Sequence, residues 1–229
     1  MSLYAIGDLH LALGTPGKSM EVFGARWQDY IEKIEKGFSL LDEDDLCVIC
    51  GDLSWGMDLD GAREDLRFLD ALPGKKLLLK GNHDYWWTTA TKMRAFFEKE
   101  GLQSLSILHN NCAFYEDVAV CGTRGWFFEE ETGGEHDKKI MLREAQRLAA
   151  SLAAGGDGEK LCFLHYPPVY LHYECPPILD LLEEYGVRLC CYGHIHSKGC
   201  RAAFQGERRE TQFKLVSADY LDFVPLKVL

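Results

Sequence analysis

Five times along this 229-residue chain a short apolar run stops, and a side chain with an oxygen or nitrogen donor follows at once. LYAIG is followed by Asp8-Leu9-His10, and LCVICG by Asp52. KKLLLKG is followed by Asn82-His83-Asp84, LCFL by His165, and VRLCCYG by His194-Ile195-His196. Short apolar runs bounded by glycine read as buried strands. In an open α/β sheet the C-terminal ends of neighbouring strands form one crevice, where ligands bind. The chain is therefore expected to gather Asp8, His10, Asp52, Asn82, His165, His194 and His196 in one place.

The rest of the pattern agrees with such a sheet. Strands are predicted at 3–6, 46–50, 76–79, 106–108, 113–115, 118–121, 161–164, 188–192, 214–217 and 223–228. Helices are predicted at 22–36, 61–71, 88–100, 137–154 and 177–185. The helix at 137–154 has the clearest period, with Ile140, Ala145, Leu148 and Leu152 recurring along one face. Strand–helix alternation in the first half predicts parallel pairing, and the later hairpins predict a mixed sheet. The length suits one domain over 1–229, with Gly155-Gly156-Asp157-Gly158 as a helix-to-strand loop rather than a linker.

Charge and cysteine usage narrow the setting. A net charge of −11 counts against sequence-independent binding to nucleic acid or an anionic membrane. Nine cysteines, several inside apolar runs, suit buried thiols in a reducing cytoplasm better than a disulfide framework. Cys47 and Cys50 are three apart in a predicted strand, so they should point to opposite faces and share no metal. No signal peptide and no apolar stretch of transmembrane length is visible, which places the expected protein in the cytoplasm without a membrane anchor.

Local spacing gives the donors a shared direction. Asp8 with His10, and His194 with His196, are two residues apart and face the same way in extended backbone. Glycines before Asp8, Asp52, Asn82 and His194 allow sharp strand exits and close backbone approach to an ion. Seven donors exceed the four that a zinc-like ion takes and suit two ions sharing a carboxylate, with Asp52 as the candidate bridge. Imidazole and oxygen donors without thiolate favour manganese, iron, zinc or a related divalent transition metal over calcium or magnesium. Taken singly, Asp-x-His reads as a turn, Gly-Asp as a loop and a strand-end His as a structural histidine. The ordered set of five is what is specific.

Those blocks, Asp-x-His, Gly-Asp, Gly-Asn-His-Asp, His and Gly-His-x-His, resemble the calcineurin-like metallophosphoesterase superfamily in order and spread, from Gly7 to His196. The resemblance implies a four-layer αββα sandwich of two mixed β-sheets flanked by helices. It implies Asp8, His10, Asp52 and His196 at one metal, and Asp52, Asn82, His165 and His194 at the other. His83 matches the family's non-ligand catalytic histidine, acting at the phosphoryl group or leaving oxygen, and Asp84 stands next to it as a possible orienting partner. The implied activity is hydrolysis of a phosphate ester by direct attack of a metal-bridging hydroxide. The protein Ser/Thr phosphatase branch carries Gly-Asp-x-x-Asp-Arg-Gly, whereas Gly51-Asp52-Leu53-Ser54-Trp55-Gly56 lacks that second Asp and the Arg.

Substrate choice is written less clearly. Trp55, Trp86, Trp87, Trp126, Phe127, Phe128, Tyr166, Tyr170 and Tyr173 cluster near the motif loops. Core packing is the ordinary reading for most of them. Trp55, Trp126 and Tyr166 are expected to line a pocket for the organic part of a small phosphorylated substrate, which leans the reading toward a diester. Arg124, glycine-flanked at a strand end, is a candidate phosphate contact. The run Glu129-Glu130-Glu131 reads as a solvated loop, and His109, His136 and His172 fit no motif. Two alternatives stand beside the diesterase: a monoesterase of the same fold and a non-catalytic interaction module.

Overall fold

A computed structural model describes residues 1–127 and 134–229. Phe128 and the acidic run 129–131 lie outside the described residues. The strands in chain order are β1 (Leu3–Ile6), β2 (Leu46–Cys50), β3 (Lys75–Leu79), β4 (Leu105–Ile107), β5 (Cys112–Tyr115), β6 (Val118–Thr123), β7 (Lys160–Leu164), β8 (Val169–Tyr170), β9 (Tyr173–Glu174), β10 (Leu189–Tyr192), β11 (Gly206–Arg208), β12 (Thr211–Leu215) and β13 (Leu226–Lys227). The α-helices are α1 (Tyr30–Phe38), α2 (Arg63–Ala71), α3 (Ala90–Glu100), α4 (Glu135–Ala154) and α5 (Pro176–Glu184).

Two mixed sheets carry the fold. The first runs β13-β1-β2-β3-β4, parallel throughout except at the β13 edge. The second runs β11-β12-β10-β7-β6-β5, with a parallel centre and an antiparallel strand at each edge. Alternation along single strands builds the layers. Val48 and Cys50 of β2 pack with Leu161 and Phe163 of β7 in a core between the sheets. Cys47 and Ile49 face the other way, into the core of α1, α2 and α3. On the second sheet Cys162, Cys190 and Tyr192 pack against Leu148, Leu152, Ile178 and Leu182 of α4 and α5. The result is the expected αββα sandwich, and the nine cysteines are all free thiols. Among the described residues no helix is long and apolar enough to cross a membrane.

Three elements differ most from expectation, two of them where the backbone turns against its local pattern. The helix expected at 22–36 is replaced by two short 3-10 turns, Met20–Phe23 and Ala25–Trp27, before α1. Gly24 at φ 118° and Asp29 at φ 54° break it, since neither conformation continues a helix. The strand expected at 223–228 shrinks to β13 because Asp222 and Phe223 both take positive φ and Pro225 cannot donate to a ladder. The strand expected at 214–217 begins earlier, at Thr211. The β8–β9 hairpin and β11 had no counterpart in the sequence reading.

Candidate metal centre

The strand ends deliver all seven expected donors to one crevice. Asp8, His10 and His196 present ligand atoms within 4.8 Å of one another, and so do Asp52, His165 and His194. Asn82 joins the second group, its Oδ1 lying 2.6 Å from His165 Nε2. The groups adjoin: His165 Nδ1 is 3.7 Å from Asp8 Oδ1, and His10 Nε2 is 3.8 Å from Asp52 Oδ2. The first sheet supplies Asp8, His10, Asp52 and Asn82, and the second supplies His165, His194 and His196.

The backbone is bent to achieve this. Asp8, His10, Asp52 and His194 all hold positive φ, between 46° and 71°, a region non-glycine residues rarely enter. Such strain collects at functional sites, where surrounding structure over-determines it. Two glycines make the approach possible. A Cβ on Gly193 would lie 2.6 Å from Asp8 Oδ2, and one on Gly51, itself at φ 87°, 2.6 Å from His165 Nδ1.

Hydrogen bonds aim the donors inward. His165 Nδ1 donates to the Cys50 carbonyl at 3.0 Å, which turns the Nε2 lone pair toward Asn82 Oδ1 and Asp52 Oδ2. His196 Nδ1 donates to Asp219 Oδ1 at 3.1 Å, leaving its Nε2 3.3 Å from His10 Nε2 and 3.5 Å from Asp8 Oδ1. Asp219 is held in turn by the Ser197 N–H at 2.8 Å. The His194 N–H donates to Asp8 Oδ2, and the His83 N–H to Asp52 Oδ1, each at 2.8 Å. Asp8 Oδ1 is buried and has no hydrogen-bond partner among the described residues.

Charge is distributed unevenly. Burial would raise Asp8, yet His196, His165 and His10 hold it below the usual carboxylate range. Burial and Asp84 push Asp52 well above that range. Burial would lower His196, but Asp8 and Asp219 push it up to about 10. His194 goes the other way, to about 3, through burial and the neighbouring His165. His10 is held low by burial and His196, and His83 by burial and His165.

Asp84 does not orient His83. It is fully buried, and its oxygens accept the backbone N–H groups of Asp52, Leu53, Ser54 and Gly81 at 2.7–3.3 Å and the Trp86 indole N–H at 2.9 Å. A carboxylate with five donors has no lone pair left for an imidazole. It clamps the β2 and β3 loops together. His83 Nδ1 makes no hydrogen bond among the described residues.

The candidate substrate residues divide. Trp55 stacks on His10 at 5.0 Å between ring centroids and tilts against His83 at 4.8 Å. Tyr166 packs at 4.4 Å from His194, and Trp126 packs edge-on against Tyr166 at 5.5 Å. Trp86 and Trp87 are core residues. Arg124 reaches the centre only through its carbonyl, which accepts from the N–H groups of His165 and Tyr166. Its guanidinium lies over Trp126 and 3.4 Å from Glu144, outside both donor groups.

Two residues near the centre escaped the sequence reading. Asp219 obeys the same strand-end rule, since the run FKLVSA stops there, but no histidine stands beside it. Trp27, only 1% exposed, packs edge-on against His10 and His196 at 6.1 and 6.0 Å, and nothing local in its 3-10 turn marks it.

A two-sheet α/β sandwich with imidazole and carboxylate donors paired at its strand ends has the architecture of a metallophosphoesterase. The family model for calcineurin-like phosphoesterases matches residues 1–198, and the chain belongs to that family. Two solved structures share the fold at low identity. One is the protein of unknown function AQ665 from Aquifex aeolicus, 16% identical, with a TM-score of 0.54 over 99% of this chain and 95% of that one. The other is the phosphopantetheinyl hydrolase PptH from Mycobacterium tuberculosis, 15% identical, with a TM-score of 0.61 over 100% of this chain and 95% of that one. No curated protein sequence matches the chain.

Proposed function

We propose that this chain is a dinuclear-metal-dependent phosphoesterase acting on small phosphodiesters, with residues 1–229 working as one unit. The observation that carries the reading is the convergence of seven buried or half-buried donors, with lone pairs turned inward, on a space where Asp8 Oδ1 makes no hydrogen bond among the described residues. With His165 Nδ1 donating to the Cys50 carbonyl, the His165 Nε2 lone pair and Asn82 Oδ1 face each other at 2.6 Å beside buried Asp52, a repulsion that a cation between them relieves, so the donor set fits bound metal. Asp8, His10, Asp52 and His196 would hold one ion, and Asp52, Asn82, His165 and His194 the other. The absence of thiolate suits manganese, iron or zinc.

Two bound ions would supply Lewis-acid stabilisation of phosphoryl charge and acidify an attacking water. The protein's own groups do the rest. His83, whose Nδ1 makes no hydrogen bond among the described residues, is assigned the role of donor at the leaving oxygen. Asp84 keeps the Asp52 and Asn82 loops at fixed separation. Asp219 and the Cys50 carbonyl lock the tautomers of His196 and His165, the usual task of groups behind metal-bound histidines. Trp55, Tyr166 and Trp126 flank the centre with apolar rings, which suits a second esterified organic group and supports a diester over a monoester. The free cysteines support a reducing, cytoplasmic setting.

The test is an activity screen of protein reconstituted with manganese, iron or zinc, using bis(p-nitrophenyl) phosphate and p-nitrophenyl phosphate. Turnover should require metal, favour the diester and collapse in His83→Ala. Faster monoester turnover would overturn the diester assignment. No turnover of either ester with two ions bound would overturn the enzyme.

A further inference from the structure

Beside the Asn82 and His165 side of the centre lies a second feature, with its own chemistry. A cavity of about 330 Å³ is lined by Lys80, Arg124, Arg143 and Arg147, with Glu144 as its one carboxylate among the described residues. The chain as a whole carries a net charge of −11, so four cations around one cavity run against the rest of the molecule. Glu144 is fully buried and already committed to Arg147 at 2.7 Å and Arg124 at 3.4 Å. Lys80 and Arg143 have no ion-pair partner among the described residues, and the Nε of Arg124 is buried without a hydrogen bond. The field is felt at His109 on the cavity wall. Burial, then Arg147, then Lys80 and Arg94 hold its imidazole below the ordinary value, despite Glu144. Clustered guanidinium and ammonium groups with unused donors are what a phosphate dianion requires.

Placement ties this cavity to the reaction. Lys80 immediately precedes Gly81-Asn82, and the Arg124 carbonyl accepts from the N–H groups of His165 and Tyr166. Trp126, over which Arg124 lies, packs on Tyr166, which in turn packs on His194. We infer that the cavity is a phosphate-binding subsite for a second, unreacted phosphate of the substrate, so that the ester cleaved is one that already bears another phosphate group. This rests on the phosphoesterase reading and adds the substrate class to it. The centre would hold the phosphate that reacts, and the cavity the one that does not.

Binding and turnover separate the two claims. Inorganic pyrophosphate is titrated calorimetrically into the full chain, with metal present and with metal chelated. In parallel, kcat/KM of the metal-loaded enzyme is compared for thymidine 5′-(p-nitrophenyl phosphate) and the same ester carrying a 3′-phosphate. The chelated chain should still bind pyrophosphate, and Arg143→Ala, at an exposed position, should weaken that binding by about tenfold, as loss of a charged hydrogen bond does. Lys80→Ala should do the same, whereas Lys139→Ala, an exposed α4 lysine outside the cavity, should not. The preference for the 3′-phosphorylated ester should fall in both cavity variants by a like factor. Pyrophosphate binding that needs metal, or that survives both variants, overturns the subsite while leaving the esterase standing. Cavity-dependent binding with no turnover of either ester overturns the esterase, and the substrate role with it.

Discussion

The two donor groups of the centre are built from like residues but supported differently. In the Asp8, His10 and His196 group, the outer partner is a carboxylate: Asp219 holds His196 Nδ1, and Trp27 and Trp55 wall the rings. In the Asp52, His165 and His194 group, the outer partner is a backbone carbonyl, that of Cys50, and the neighbouring ring is Tyr166. A carboxylate behind a histidine adds charge and raises ligand basicity, whereas a carbonyl mainly fixes the tautomer. Burial would lower both backed histidines, yet His196, with Asp8 and Asp219 beside it, is pushed up to about 10, whereas His165, backed by the carbonyl, stays below the ordinary value. Each group also draws on both sheets, so neither exists until the sandwich closes. Two ions held on these terms should be unequal in affinity.

The largest effect should come from the residue that joins the groups. Asp52→Asn removes the shared carboxylate, so turnover should fall by about a thousandfold or more as phosphoryl charge loses its stabilisation. Elemental analysis should find fewer than two ions per chain. Full metal content with wild-type turnover would show that the groups act independently. Next, His83→Ala should lower kcat by about a hundredfold with metal content unchanged, as loss of a general acid does. If metal is lost as well, His83 supports the centre rather than the proton.

Asp219→Asn is the sharpest probe of the difference itself. Metal affinity at the first group should drop by about ten- to a hundredfold, as for other outer partners of ligating histidines. Chelator-driven metal loss should then resolve into two phases, with the variant accelerating one of them. Equal acceleration of both phases would erase the asymmetry. The smallest change expected is in Gly193→Ala, whose Cβ would sit 2.6 Å from Asp8 Oδ2. Overpacking of this kind costs about 1–3 kcal/mol, read as a lowered thermal midpoint.

The asymmetry also explains which parts of the centre were legible in the chain. All seven donors could be read because each follows one of five strands at a distance of one to four residues, a local pattern. The layering was legible only through the family resemblance, because β2 and β7 are apolar on both faces and their alternation marks no inner or outer side. Asp219 obeys the same rule after β12, but it stands alone, and its role depends on meeting His196 from another strand. The clamp at Asp84 was misread for a related reason. Adjacency to His83 suggested a partner, whereas the five donors that occupy Asp84 come from loops up to 32 residues away and from an indole two residues on. Trp27 lies between Gly24 and Asp29, whose positive φ interrupts the helical period that the sequence there suggests.

Anomalous diffraction from crystals of the manganese-reconstituted chain tests the central claim most directly. The account predicts two peaks per chain, one bounded by Asp8, His10 and His196 and the other by Asn82, His165 and His194, with Asp52 touching both. A single peak, or peaks away from these residues, would contradict it.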